Sequence, residues 1–183
     1  MTALAKPMSL DEFLAWEERQ EMRYEYDGVA ARAMTGGRVA HAAIQANLIV
    51  ALGAALRGKP CRVMGSELKV RTSTSIRYPD AMIVGGYAAP RSTIAPEPTV
   101  IFGILSPRSA RLDLGAKNAE YQTLASLRRY VVLHQTQAAA EVFSRGEDGE
   151  WTYAFLDAEG VLAMPEAEID VPLAEIYADV ELA

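Results

Sequence analysis

The stretch Arg77-Tyr78-Pro79-Asp80-Ala81-Met82-Ile83-Val84 places a proline and an aspartate directly before a run of apolar residues. The apolar run predicts a buried strand, and an acidic side chain at the start of such a strand needs a partner. A divalent metal ion would supply one, because hard cations prefer carboxylate oxygens held on rigid elements. An aspartate that bonds the backbone of its own turn is the alternative, and this stretch alone favours it.

Upstream of this stretch the pattern alternates between helix and strand. Ser9-Leu10-Asp11-Glu12 is a capping box that predicts the start of a helix. Asp27-Gly28 predicts a hairpin turn between two short strands. Apolar residues recur every four positions after His41 and predict a long helix that Gly58 and Pro60 end.

The complete pattern predicts one α/β (α+β) domain over residues 1–183, with its core at about 8–145 followed by C-terminal strands and a tail. The tail contains a short amphipathic piece that is expected to dock on the body. Strands are predicted over residues 24–26, 29–34, 62–72, 76–84, 99–105, 129–134, 139–144 and 151–156, and helices over residues 10–20, 41–56 and 109–127.

Composition and charge narrow the classes of function. Half of the 183 residues are hydrophobic, and no apolar run reaches the 18 residues that a membrane-spanning helix needs. No secretory signal is seen at residues 1–9, and the single cysteine cannot form an internal disulfide, so a cytoplasmic location is expected.

The net charge of −6 is opposite to that of proteins that hold duplex DNA nonspecifically, so any nucleic-acid groove must be local. With only two histidines, a histidine-rich zinc site is unsupported.

A second candidate group lies in the third predicted helix. Lys117 and Tyr121 are four residues apart and therefore share one helix face. A lysine on the side that faces the sheet could reach the ends of neighbouring strands. An exposed lysine is the alternative, and it is favoured when this segment is considered by itself.

The order of these motifs resembles the Uma-two family of restriction-endonuclease-like proteins, which belongs to the PD-(D/E)XK nuclease superfamily. The resemblance covers most of residues 8 to 145, and its specificity lies in the order and spacing of short motifs. They are Tyr24-Glu25, Asp27-Gly28, His41 at the start of a helix, Pro79-Asp80, Leu105-Ser106-Pro107, Lys117, Tyr121, Arg129-Tyr130-Val131-Val132-Leu133 and Glu141-Val142-Phe143.

The resemblance implies a mixed central β-sheet flanked by helices and a metal-dependent endonuclease that hydrolyses phosphodiester bonds in DNA. It implies Asp80 as a ligand of Mg²⁺ or Mn²⁺, Glu25 as a second acidic residue near the metal, and Lys117 as the catalytic lysine. It also implies a homodimer, because two strands must be cut. A metal lowers the barrier to phosphodiester hydrolysis by generating hydroxide and neutralising charge on the phosphate, and a lysine orients or deprotonates the water or stabilises the anionic transition state.

This sequence departs from the family pattern at one position. The family places a second metal-binding glutamate two residues before Leu105, where this chain has Gly103. The superfamily lysine usually follows two residues after that glutamate, where this chain has Leu105. Glu67 and Lys69 form a similar pair before Asp80, but in the wrong chain order, and two exposed charges on an edge strand are the favoured interpretation.

Three hypotheses follow for the function. The first is a metal-dependent DNA endonuclease, weakened or inactive because of Gly103. The second is a non-catalytic protein of the nuclease fold that acts as an oligomeric or nucleic-acid-binding module. The third, which we favour least, is a structural α/β domain with a superficial family likeness. Gly103 favours the second hypothesis, whereas the retention of Asp80, Lys117 and Glu25 favours the first.

Overall fold

The computed structural model describes residues 8–34, 36–86, 89–105 and 112–182. The helices are α1 (Leu10–Glu17), α2 (Val39–Ala55), α3 (Asn118–Gln122) and α4 (Leu173–Ile176), with a π-helical turn at Leu112–Lys117 directly before α3 and a 3₁₀ turn at Pro165–Ala167. The strands are β1 (Tyr24–Tyr26), β2 (Ala31–Ala33), β3 (Arg62–Gly65), β4 (Val70–Arg71), β5 (Ile76–Arg77), β6 (Ala81–Val84), β7 (Pro98–Leu105), β8 (Arg129–His134), β9 (Ala140–Arg145), β10 (Trp151–Leu156), β11 (Val161–Met164) and β12 (Ile169–Pro172).

The central sheet has six strands in the order β10-β9-β8-β7-β6-β3. Strands β7 and β8 run parallel, because the π-helical turn and α3 carry the chain across between them, and the other neighbours are antiparallel. The prediction of a mixed central sheet flanked by helices is therefore confirmed.

Each face of this sheet is covered by its own apolar core. Along β7, Val100, Phe102 and Ile104 point to the face that α2 covers, and Ile101 points to the face that Tyr121 of α3 covers. This alternation is the period of two expected for a strand buried on both faces. No helix in the part of the chain that the structure describes is long and apolar enough to cross a membrane.

A smaller sheet of four strands, in the order β2-β1-β5-β4, carries α1. Phe13 of α1 stacks on Tyr26 of β1, with ring centroids 4.9 Å apart, and both are buried. The predicted capping box is confirmed: the Ser9 hydroxyl accepts a hydrogen bond from the Glu12 N–H, and the Glu12 carboxylate accepts one from the Ser9 N–H. Because Phe13 packs on Tyr26 and Ile76, helix α1 covers one face of the small sheet.

The C-terminal hairpin β11–β12 and helix α4 pack against α2, as the docking of the tail predicted. Asn47 of α2 donates hydrogen bonds to the carbonyl oxygens of Ile176 and Ala178. The apolar side chains of this segment belong to the main core, in which they are buried: Leu162, Met164, Ala167, Ile169, Val171, Leu173 and Ile176.

The two strands predicted over residues 62–72 and 76–84 are each broken, and this is a correction. β3 and β6 belong to the large sheet, whereas β4 and β5 belong to the small one. The chain therefore changes sheets at a turn beginning at Ser66 and again at residues 78–80, where Pro79 cannot donate to a ladder. The helix predicted over residues 109–127 is also shorter, ending at Gln122, and the strand end expected at Ser106-Pro107 lies outside the described residues.

Candidate active site

Asp80 lies where the chain passes from the small sheet into β6. Its backbone N–H donates to the carbonyl oxygen of Phe102 at 3.0 Å, and its Oδ2 accepts from the N–H of Ile104 at 2.6 Å. Strands β6 and β7 pair with Ala81 opposite Phe102. The paired residues end at Ala81, and the two Asp80 bonds reach Phe102 and Ile104, so Asp80 lies beside the segment of β7 that contains Gly103.

Gly103, which lies between Phe102 and Ile104, brings no side chain to this segment of β7. A Cβ atom at Gly103 would lie 3.1 Å from the phenol oxygen of Tyr130, which is fully buried on β8. The Tyr130 hydroxyl therefore stands where the side chain of a larger residue at position 103 would begin. A side chain at position 103 would therefore point toward Tyr130 of β8.

His41, at the start of α2, is the direct partner of Asp80. Its Nε2 lies 2.9 Å from Asp80 Oδ1, and Gln45, one turn later, donates to the Asp80 carbonyl oxygen at 2.8 Å. The hydrogen bond from His41 to Asp80 raises the pKa of His41 above its usual 6.5; burial opposes this, and the charges of Asp80 and Asp113 add to it. From the sequence His41 was predicted only to start a helix, although the spacing of His41 and Gln45 puts both on one helix face.

The His41–Asp80 contact predicts a pH dependence of stability. Because the pKa of His41 is higher in the folded than in the unfolded chain, the pair contributes fully below about pH 6.5, and its contribution is lost as pH rises through the raised pKa. We expect the difference in free energy of unfolding between the wild type and His41→Gln, measured in urea from pH 5.5 to 9, to shrink as pH rises. The same comparison in an Asp80→Asn background should lose this dependence. A difference that is constant with pH would contradict the prediction.

Glu25 and Lys117 meet in a buried ionic cluster. Lys117 Nζ lies 3.0 Å from Glu25 Oε1 and 3.3 Å from Asp113 Oδ1, one turn earlier in the π-helical segment. Burial by itself would lower the pKa of Lys117, but the carboxylates of Glu25 and Asp113 outweigh it and raise the pKa above its usual value. Lys117 is therefore a cation at neutral pH. Such a group can stabilise negative charge on a phosphate, and it is poorly suited to accept a proton from water.

Arg77 holds Glu25 from the other side. The fully buried guanidinium donates to Glu120 through Nε at 2.7 Å and through Nη2 at 2.8 Å, and to Glu25 Oε2 at 3.3 Å. The Ser75 hydroxyl adds a hydrogen bond of 2.7 Å to Glu120. Asp113, Arg77 and Glu120 were not predicted as site residues from the sequence. The spacing of Asp113 and Lys117 was a signal for the first, and nothing in the sequence joins residues 77 and 120.

The structure brings two of the predicted residues, Glu25 and Lys117, into direct contact, whereas Asp80 contacts His41 and Ile104. After burial, the charges of Asp113, Asp80 and Glu25 are the causes that raise the pKa of the Tyr130 phenol. Lys117 contacts two of these three carboxylates, those of Glu25 and Asp113.

Beside Asp80 opens a cleft of about 450 Å³, to which α2, the residues just before β1 and the loop before α2 contribute. Four residues of its lining carry hydrogen-bond donors, and two carry carboxylates. The donors are Arg23, His41, Gln45 and Ser66, and the carboxylates are Glu21 and Asp80. The Gly36-Gly37 pair lines the same opening. Glu25 and Lys117 are not among the residues that line this cleft.

Glu67 and Lys69 do not add to this site. Glu67 is exposed and pairs with Arg23, and it is absent from the lining of the cleft. Lys69 was expected to be exposed, and that is wrong: it is 5% exposed and its ammonium lies 2.6 Å from the Glu17 carboxylate. Tyr78 donates to the other Glu17 oxygen. The ion pair of Lys69 with Glu17 therefore links the end of α1 to the residues between β3 and β4.

The donor set does not fit a complete divalent-metal centre. Both Asp80 oxygens already accept hydrogen bonds, from Ile104 and His41, and both Glu25 oxygens are engaged by Lys117, Arg77 and the Tyr78 N–H. Within the described residues, no three His, Cys, Asp or Glu side chains are arranged to hold a metal ion.

Comparisons with known proteins agree with this architecture. Residues 10–173 match the Uma2 family model, described as "Putative restriction endonuclease". The chain is 27% identical over 173 residues to "Uncharacterized protein slr1290" from Synechocystis sp., which covers 93% of this chain and 91% of that protein. The fold superposes with a TM-score of 0.78 and 16% identity on a crystal structure described as "a putative nuclease belonging to DUF820" from Anabaena variabilis, covering 94% of this chain and 98% of the other.

Proposed function

Because this chain belongs to the Uma2 family, whose description is "Putative restriction endonuclease", we propose that it is an attenuated endonuclease that acts on DNA. Its cleft binds the phosphodiester backbone, and its hydrolytic rate is low because the site is one carboxylate short. The nuclease-like fold supports the class of protein, and the surroundings of Asp80 support the attenuation.

The observation that carries the proposal is that Asp80 bonds the residues on both sides of Gly103, namely Phe102 and Ile104. Hydrolysis of a phosphodiester by this fold class uses carboxylates to hold a divalent ion, and Asp80 offers one such carboxylate. Gly103 adjoins Asp80 without a side chain, and this supports the proposal that a missing second carboxylate lowers the rate.

The remaining residues keep roles that suit a phosphate substrate. Lys117 remains protonated and can neutralise charge that develops on the phosphate, and Glu25 and Asp113 hold its ammonium in place. Gln45 and Arg23 place donors in the cleft, although Arg23 also pairs with Glu67. Because the net charge is −6, we expect binding to be weak and confined to the cleft.

The alternative is a non-catalytic module of the same fold that binds nucleic acid without cutting it. The saturation of both Asp80 oxygens by His41 and Ile104 favours this alternative. In that case Asp80 acts as a structural link between α2 and β7. The two functions differ in one measurable result, the residual cleavage by the wild type.

Plasmid nicking tests the proposal. We expect the wild type to convert supercoiled plasmid slowly to the open circular form in Mg²⁺ or Mn²⁺, and Asp80→Asn to fall to the background of the buffer. Asp170→Asn, which changes an exposed aspartate on β12, is the matched control and should nick like the wild type. A wild type that binds DNA but never nicks it supports the non-catalytic alternative. Nicking that is unchanged in Asp80→Asn places the chemistry elsewhere.

A further inference from the structure

Strand β10 forms one edge of the central sheet and carries no charged residue. It pairs with β9 on one side, and within the described residues no strand pairs with its other side. Its six residues, Trp151-Thr152-Tyr153-Ala154-Phe155-Leu156, combine high β-propensity with apolar character. Proteins usually protect such an edge with charges, proline or a bulge, because an uncharged free edge pairs with another strand.

One face of β10 is aromatic. Trp151, Tyr153 and Phe155 alternate along the strand and therefore share one face. Tyr153 is 58% exposed and Phe155 is 50% exposed, although both are large apolar residues. Tyr153 contacts Phe143 of β9 with ring centroids 5.4 Å apart, so the aromatic surface continues onto the sheet.

We propose that β10 pairs with β10 of a second copy of this chain, antiparallel and across a two-fold axis at Tyr153. In this register Tyr153 lies opposite itself, and Trp151 lies opposite Phe155 of the partner. All the aromatic residues then meet on one face, because directly opposite residues of an antiparallel pair point to the same side. The two central sheets join into one sheet of twelve strands, a closed and isologous arrangement.

Charge favours a second copy as the occupant of this edge. With Tyr153 on the axis, Glu150 lies opposite Leu156 and Asp157 lies opposite Gly149, so no like charges meet. Single-stranded nucleic acid also stacks on aromatic rows, but such platforms carry a basic groove. Here Glu141, Glu150 and Asp157 lie on or beside the strand pair, and its one cation, Arg145, is stacked on Trp151. The acidic surroundings favour protein over phosphate.

Mass measurement and cross-linking test this interface. We expect the wild type to be a dimer by light scattering at micromolar concentration, and Tyr153→Glu to raise the dimer dissociation constant at least about thirty-fold, because the two glutamates meet on the axis. Thr152→Glu, on the other face of the same strand and opposite Ala154, should weaken the dimer less. Thermal unfolding of both variants checks that each remains folded.

A cysteine pair locates the axis independently of affinity. In a Cys61→Ala background, Tyr153→Cys is expected to form a disulfide-linked dimer under mild oxidation, whereas Thr152→Cys is not, because its opposite residue is Ala154. A monomeric wild type overturns the proposal. So does a dimer that Tyr153→Glu leaves intact, or a loss of oligonucleotide binding in Tyr153→Glu without any change of mass. None of these results depends on DNA cleavage. The proposed dimer is therefore tested independently of the proposed function.

Discussion

The variant Gly103→Glu is expected to bind Mn²⁺ at least about tenfold more tightly than the wild type and to nick plasmid at least about a hundred times faster. Asp80 bonds the residues on both sides of Gly103, so the new carboxylate would begin on the strand next to the existing one. Two carboxylates on neighbouring strands form a rigid pair, and rigid oxygen ligands are what Mg²⁺ and Mn²⁺ require. Calorimetry measures the affinity, and conversion of supercoiled plasmid measures the rate.

The main obstacle to this gain is the Tyr130 hydroxyl. It lies 3.1 Å from the position of the new Cβ, which is tighter than ordinary contact, so the phenol must shift by a few tenths of an ångström. The double variant Gly103→Glu with Tyr130→Phe removes the hydroxyl and should show the larger gain. Gly103→Gln has the same size without the charge and is the matched control. Equal metal affinity in the glutamate and glutamine variants would contradict the idea that a carboxylate is all the site lacks.

The replacement Arg77→Met is expected to lower the free energy of unfolding by about 3–5 kcal/mol. The guanidinium is fully buried and contacts Glu120 through two nitrogens and Glu25 through a third. Methionine fills much of the volume but leaves both carboxylates buried with fewer partners, and an uncompensated buried charge is costly. Urea unfolding measures the loss.

Arg32→Met provides the control for this prediction. Arg32 also pairs with a carboxylate, that of Asp27, but its side chain is 63% exposed, and exposed pairs contribute at most about 1 kcal/mol. The double variant Arg77→Met with Glu120→Met should recover part of the lost free energy of unfolding. It removes Glu120, the carboxylate that accepts two hydrogen bonds from Arg77. If Arg77→Met lowers the free energy of unfolding no more than Arg32→Met does, the buried cluster is not the structural link that its geometry indicates.

The amino-acid sequence was sufficient to predict those elements whose signal lies in neighbouring residues. The apolar spacing of four after His41 identified α2, and the capping box identified the start of α1. In both cases the residues that decide the structure are neighbours in the chain. The roles of Asp80 and Gly103 came from the family resemblance and stay predictions.

The sequence was insufficient where partners are far apart in the chain. Lys69 was expected on the surface, but Glu17 lies 52 residues earlier and meets it in the interior. Arg77 and Glu120 are 43 residues apart, and no periodicity connects them. The two broken strands were missed for a related reason: continuous β-propensity does not reveal that its two halves belong to different sheets.

The packing of the C-terminal hairpin against α2 has a consequence for synthesis. A ribosome releases the chain from its N-terminus, so α2 and the central strands emerge before the residues that cover α2. Until Leu173 and Ile176 have left the exit tunnel, the apolar stripe around Leu48 and Leu52 has no cover from α4. We expect the nascent chain to hold its sheet in a loose, chaperone-accessible form and to become protease-resistant only after α4 has emerged.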